Sequence, residues 1–220
     1  MVTARQRPGP DIGAMVDRIA AAARAGVHLI QIRQPDFDAV PLTRLVADAV
    51  RAVEGTAARI LVNDRLDVAV AAGAHGLHLR ADSFSAARAR SAVPPGFLIG
   101  RSVHSVDEVD RAEGGAGLDY LICGTIFGTA SKPDVRPAGL GVLSAVCRKV
   151  AVPVLAIGGI QETRLPSVAH AGAAGFAAIG FFADPPVERL PSAVRVAARA
   201  FADTFTVADD ESAAVRGLRE

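Results

Sequence analysis

The 220-residue sequence has no tryptophan, one tyrosine and two cysteines. Two cysteines are too few for a disulfide framework. Cys123 lies in an apolar run and Cys147 in a helical pattern, so both read as reduced core residues of a cytoplasmic protein. An excess of one charge is also missing: 24 Lys and Arg face 23 Asp and Glu, a net charge of +1. With acids and bases intermixed and no basic block, a nucleic-acid partner has no electrostatic support. No apolar run approaches the roughly 20 residues of a membrane span. The N-terminus lacks the basic-then-apolar order of a signal peptide, so neither membrane insertion nor secretion is expected.

What is present is apolar surface. Half of the residues are hydrophobic and 21% are charged, so burial can offset chain entropy and global disorder is not expected. The length fits one α/β barrel as well as it fits two small domains.

Short apolar runs alternate with amphipathic stretches. The strand candidates are His28–Arg33, Arg59–Asn63, Gly76–Leu79, Phe97–Val103, Tyr120–Cys123, Val152–Gly158 and Gly175–Ile179. Most are Val/Ile/Leu-rich without strict alternation, which suits parallel strands buried on both faces. Helical patterns fall between them at Asp11–Ala25, Pro41–Val53, Arg65–Ala72, Ser85–Ser91, Ser105–Glu113, Leu140–Lys149, Glu162–Ala171 and Pro191–Ala202. Asp64, and Ser105 with Glu108 three residues on, offer helix caps. This repeated alternation predicts a single-domain (β/α)8 TIM barrel over residues 1–202, followed by a polar tail or outer helix at 203–220. Only Met1–Ala4 remains for the first strand, which must be short or incomplete. An open doubly wound sheet is the alternative fold, although no glycine-rich fingerprint follows an early strand.

In a barrel, chemistry collects at the C-terminal strand ends. Gln31 and Arg33 share one face there, and Arg33 offers a forked donor for phosphate or a partner for a rim carboxylate. Asp64 suits a hard cation such as Mg2+ or a helix cap. Ser102 and His104 share a face; His104 reads as a general acid/base or as a structural hydrogen-bonding group. In the long loop Gly124–Pro133, the hydroxyls of Thr129 and Ser131 and the ammonium of Lys132 suit a phosphate. Gly158 and Gly159 after one strand, and Gly180 after Ile179, let a phosphate oxygen approach backbone N–H groups.

In their order along the chain, these motifs resemble the thiamine phosphate synthase / thiazole tautomerase family. The resemblance spans about Val2 to Ala202. It rests on Gln31-Ile32-Arg33, Val62–Asp67, Gly76–Leu79, Gly100–Ser105, Gly124–Lys132, Ile157–Ile160 and Gly175–Gly180. It implies a transferase of thiamine biosynthesis that joins an aminopyrimidine pyrophosphate to a hydroxyethylthiazole phosphate and releases pyrophosphate. By that likeness Gln31, Arg33, Asn63 and Ser102 hold the pyrimidine substrate, and Asp64 holds Mg2+. Lys132 reaches pyrophosphate, while Thr129, Ser131, Gly158, Gly159, Ile179 and Gly180 hold the thiazole phosphate. Arg33, Ser102, His104 and Lys132 are the candidate catalytic groups. A homodimer is also implied.

The sequence departs from the family pattern at two charged positions. Pro35 replaces the lysine of Gln-x-Arg-x-Lys. In Arg80-Ala81-Asp82-Ser83, Ser83 takes the position of the second metal carboxylate, for which Asp82 is the neighbouring substitute. Two other readings therefore stand: a tautomerase-type isomerase acting on a thiazole carboxylate phosphate, and a non-catalytic phosphate-binding paralogue. One form of the tautomerase branch uses a histidine where this chain has Thr125.

Overall fold

The computed structural model describes residues 1–3, 12–112, 117–129 and 134–202. Its parallel sheet contains β1 (Leu29–Ile32), β2 (Arg59–Asn63), β3 (Gly76–Leu79), β4 (Leu98–Val103), β5 (Tyr120–Gly124), β6 (Val154–Ile157) and β7 (Gly175–Ala177). The strands pair in chain order, each with the next. Parallel neighbours need a crossover, and the helices supply it. They are α1 (Ile12–Arg24), α2 (Ala39–Ala52), α3 (Leu66–Ala71), α4 (Ala86–Arg90), α5 (Val106–Arg111), α6 (Gly139–Lys149) and α7 (Leu165–His170). A four-residue helix α8 (Gly180–Ala183) and a longer α9 (190–202) follow β7. No described helix is long and apolar enough to cross a membrane.

Alternation along each strand sends side chains to two apolar regions. Ile30, Ile60, Val62, Leu77, Ile99, Leu121 and Ala156 pack outward against helix residues such as Leu45, Val46, Leu143 and Val168. Val2, Leu61, Tyr120, Ile122 and Ala177 cluster inward. Each fully buried Leu or Ile contributes roughly 1.5–3 kcal/mol by leaving water. Both cysteines are free, and burial pushes the Cys123 thiol up to about 12.

Met1–Thr3 forms one parallel bridge, Val2 to Gln31, rather than a strand. Its backbone reaches both sheet edges. Val2 N donates to Ala178 O at 2.9 Å, Gln31 N donates to Met1 O at 3.0 Å, and Thr3 N donates to Gln31 O at 2.9 Å.

Strand and helix ends differ from the sequence reading where local chemistry intervenes. Gly158 leaves β6 with φ +101°. Helix α2 starts at Ala39, which places Pro41 in its first turn, where a missing N–H costs no intrahelical bond. Ser85 and Ser105 do cap: their side chains accept from Arg88 N at 3.3 Å and Glu108 N at 3.2 Å. Asp64 does not cap α3. The cap position is Arg65, with no side-chain hydrogen bond. Residues 203–220, read as a tail or outer helix, lie outside the described residues.

Candidate active site at the C-terminal strand ends

Gln31 and Arg33 lie at the end of β1. Gln31 faces inward, is 6% exposed, and its Nε2 has no hydrogen-bond partner among the described residues. A buried amide donor without a partner is costly. Arg33 follows the strand and is exposed; its N–H donates to Thr3 Oγ1 at 3.0 Å. Its guanidinium pairs with no carboxylate among the described residues, so the rim ion pair considered from sequence does not form there.

Asn63 ends β2 in register with His78. Asp64 follows at φ +59°, the left-handed region that Asp tolerates better than most residues. Its N–H donates to His78 O at 2.9 Å. Its carboxylate accepts from Ser83 Oγ, and Arg80 Nη1 stands 3.8 Å from Oδ2. Arg80 Nη2 donates to Asp82 Oδ2 at 2.7 Å. Ser83, then, stands beside Asp64, while Asp82 is turned to Arg80.

The loop holding Ser83 is clamped from below. Arg101, 6% exposed, donates to the carbonyls of Arg80, Ala81, Ser83 and Phe84. A buried guanidinium satisfied by carbonyls fixes that loop. Asp64 and Ser83 are hard oxygen donors. They fit a Mg2+ ion that takes one protein carboxylate and fills its remaining positions with water and substrate phosphate. Among the described residues no set of three His, Cys, Asp or Glu gathers.

Ser102 lies near the end of β4 on the inward face. Its Oγ is 2.8 Å from His78 Nε2, and His78 Nδ1 is 3.0 Å from Tyr120 Oη. His78 and Tyr120 are both buried, and their rings stack at 5.6 Å. Burial, then the charge of Arg101, pushes the His78 pKa down to about 3, so the ring is neutral. Burial also raises the Tyr120 hydroxyl pKa, which keeps its proton. Gly100 makes room for this arrangement: a Cβ there would lie 2.0 Å from Tyr120 Cζ.

His104 does not join Ser102. It sits beyond β4, exposed, with Nδ1 2.9 Å from Glu108 Oε2 and its N–H donating to the same oxygen at 2.8 Å. Its backbone and ring thus both bond the Glu108 side chain at the start of α5.

The loop after β5 locks onto the turn after β6. Ile126 N donates to Ile157 O at 2.8 Å and Phe127 N to Gly158 O at 3.1 Å. Gly158 and Gly159 both have positive φ. Their missing Cβ atoms would lie 2.5 Å from Thr125 Cγ2 and from Gly128 O. Glycine is thus required twice, for conformation and for contact. Arg164 donates to Gly159 O at 2.7 Å and lies 4.7 Å from the Phe127 ring centroid. Thr129 belongs to this loop; Ser131 and Lys132 lie outside the described residues. Ile157 pairs with Ala177, which brings the Gly158–Gly159 turn beside the β7 end that leads to Ile179 and Gly180, the start of α8.

A cavity of about 420 Å3 opens at the opposite, N-terminal end, lined largely by apolar groups such as Val27, Leu61, Ile122 and Phe201. Gln31 and Tyr120 also line it. Sequence reasoning gave no role to His78, Tyr120 or Arg101, although His78 and Arg101 stand as polar interruptions within the motifs Gly76–Leu79 and Gly100–Ser105.

The fold defines a parallel α/β protein of seven strands paired in chain order, a barrel-like sheet with polar groups at the carboxyl ends of its strands. The profile of the thiamine monophosphate synthase family matches residues 1–182. The thiamine-phosphate synthase of Roseiflexus sp. (strain RS-1) is 40% identical over 167 residues, covering 76% of this chain and 70% of that protein. The thiamine-phosphate synthase of Methanoculleus marisnigri is 43% identical over 165 residues, covering 74% and 77%. Among solved structures, a thiamine phosphate pyrophosphorylase from Pyrococcus furiosus superposes with a TM-score of 0.77 at 28% identity, covering 90% of this chain and 95% of that one. The chain belongs to the thiamine monophosphate synthase family.

Proposed function

We propose that this protein is a thiamine-phosphate synthase. The pyrimidine methylene–oxygen bond breaks, and its electron pair leaves with pyrophosphate. The thiazole nitrogen then donates its lone pair to the methylene carbon. Most of the catalysis is positioning and stabilisation of the leaving charge. Gln31, Asn63 and Ser102 orient the pyrimidine, and Arg33 and Lys132 meet the pyrophosphate. Asp64, backed by Ser83, would hold Mg2+, which would neutralise phosphate charge. Thr129, Ser131, Gly158, Gly159, Ile179 and Gly180 receive the thiazole phosphate.

One observation carries the reading: the loop after β5 is hydrogen-bonded and packed onto the Gly158–Gly159 turn, two glycines that no other residue could replace at those contacts. This brings the loops after two successive strands to one place. In the same reading Met1–Thr3 is the eighth stave of a closed (β/α)8 barrel comprising residues 1–202 as one domain.

The test is incubation of purified protein with both substrates and Mg2+, following pyrophosphate release and product mass. Stoichiometric pyrophosphate and thiamine phosphate are expected. Folded protein that yields neither, or that isomerises a thiazole carboxylate phosphate instead, overturns the reading.

A further inference from the structure

We propose that Tyr120 and His78 form a buried relay that fixes Ser102 as a hydrogen-bond donor, so that the mouth selects a ligand ring with an acceptor nitrogen opposite Ser102. The proposal deepens the synthase reading, from which it takes the pyrimidine ring.

The argument is a proton count. Tyr120 Oη carries one proton and is buried; its side-chain partner among the described residues is His78 Nδ1, at 3.0 Å. A proton on Nδ1 would leave the Tyr120 O–H buried with no acceptor among the described residues, a full desolvation cost. An underused hydroxyl lone pair costs less. Tyr120 therefore donates to Nδ1, and the neutral ring carries its proton on Nε2. Nε2–H then donates to Ser102 Oγ at 2.8 Å. With that bond received, the Ser102 hydroxyl proton has to point elsewhere, and the mouth is the open direction from this half-exposed residue. His78 never touches the ligand; it and Tyr120 are positioning residues.

The surroundings hold the relay in one state. Arg101 donates to the carbonyls of Arg80, Ala81, Ser83 and Phe84, which leaves the two hydroxyls as the hydrogen-bond partners of the His78 ring among the described residues. Gly100 gives the Tyr120 ring its place. A relay of neutral groups can orient a donor without adding charge beside a developing cation.

The test begins with the protein alone. Histidine is labelled with 15N, and the His78 resonances among the five histidines are assigned by their loss in His78→Asn. The Nε2–H tautomer is expected near neutral pH. A protonated Nδ1, or an imidazolium, overturns the relay whatever the protein's reaction. Steady-state kinetics of Tyr120→Phe give the second readout. Loss of one neutral hydrogen bond raises KM for the pyrimidine substrate about tenfold, with KM for the thiazole phosphate unchanged. Equal changes in both mean a structural role only and overturn the proposal. Replacing the facing ring nitrogen of the pyrimidine by carbon weakens binding to the parent protein and makes no difference in Ser102→Ala. An equal penalty in both proteins overturns the proposal. If the parent protein turns over neither substrate, the synthase reading fails, and the tautomer still decides the relay.

Discussion

Arg164 grips two strand-end loops at once: its guanidinium lies over the Phe127 ring at 4.7 Å while Nη1 donates to Gly159 O at 2.7 Å. A charged hydrogen bond and a cation–π contact are together worth about 2–4 kcal/mol when intact. Arg164→Ala is therefore expected to lower stability by about 1–3 kcal/mol and to raise KM for the thiazole phosphate more than for the pyrimidine substrate. Urea unfolding and steady-state kinetics check the two parts. Equal KM changes would remove the interlocked loops from the phosphate site.

In the proposed reaction the metal would depend on one carboxylate. Asp64→Asn should leave the fold intact and reduce Mg2+-dependent coupling by at least about a hundredfold, since charge stabilisation is a large catalytic term. Ser83→Asp places a second carboxylate where Ser83 now donates to Asp64. Calorimetric titration should then show Mg2+ binding tightened by about tenfold or more, because carboxylate count sets affinity for hard cations. Unchanged Mg2+ affinity in Ser83→Asp would separate that loop from the cation.

His78 makes stability depend on acid. Its folded pKa of about 3 lies below the ordinary 6.5. Between these values the unfolded chain binds a proton that the native protein does not. Stability is then complete above pH 6.5 and declines as pH falls toward 3, by about 1.4 kcal/mol per pH unit from this group. Denaturant titrations at several pH values should show a shallower acid decline in His78→Asn than in the parent protein. Parallel declines would mean that His78 titrates normally when folded.

Gly100→Ala drives a methyl into the Tyr120 ring, whose Cζ lies 2.0 Å from the new Cβ. Overpacking of this kind costs about 1–3 kcal/mol. A lower melting temperature is expected, together with altered 15N shifts at His78. A melting temperature equal to that of the parent protein would show that the ring has space to retreat.

The strands were legible because buried parallel strands favour runs of apolar residues, as in Ile60–Val62 and Val154–Ile157. Their ends were less so. Strand alternation suggested that His104 shares the face of Ser102, but β4 stops at Val103 and Glu108 draws His104 into the start of α5. Ser83 was marked by its departure from the family pattern, yet only the positive φ of Asp64 and the Ser83 hydrogen bond show that Asp64 is no cap. His78 and Tyr120 stand 42 positions apart, and neither segment alone reveals that the sheet register brings them together. Thr129 was read with Ser131 and Lys132 as one cluster; of the three, only Thr129 falls among the described residues.

Tyr120 contacts His78 above and lines the apolar cavity of about 420 Å3 below. One side chain thus belongs both to a hydrogen-bonded pair and to the wall of an apolar cavity. Cutting it back to alanine would enlarge that cavity and strip the imidazole of its phenol partner in a single change.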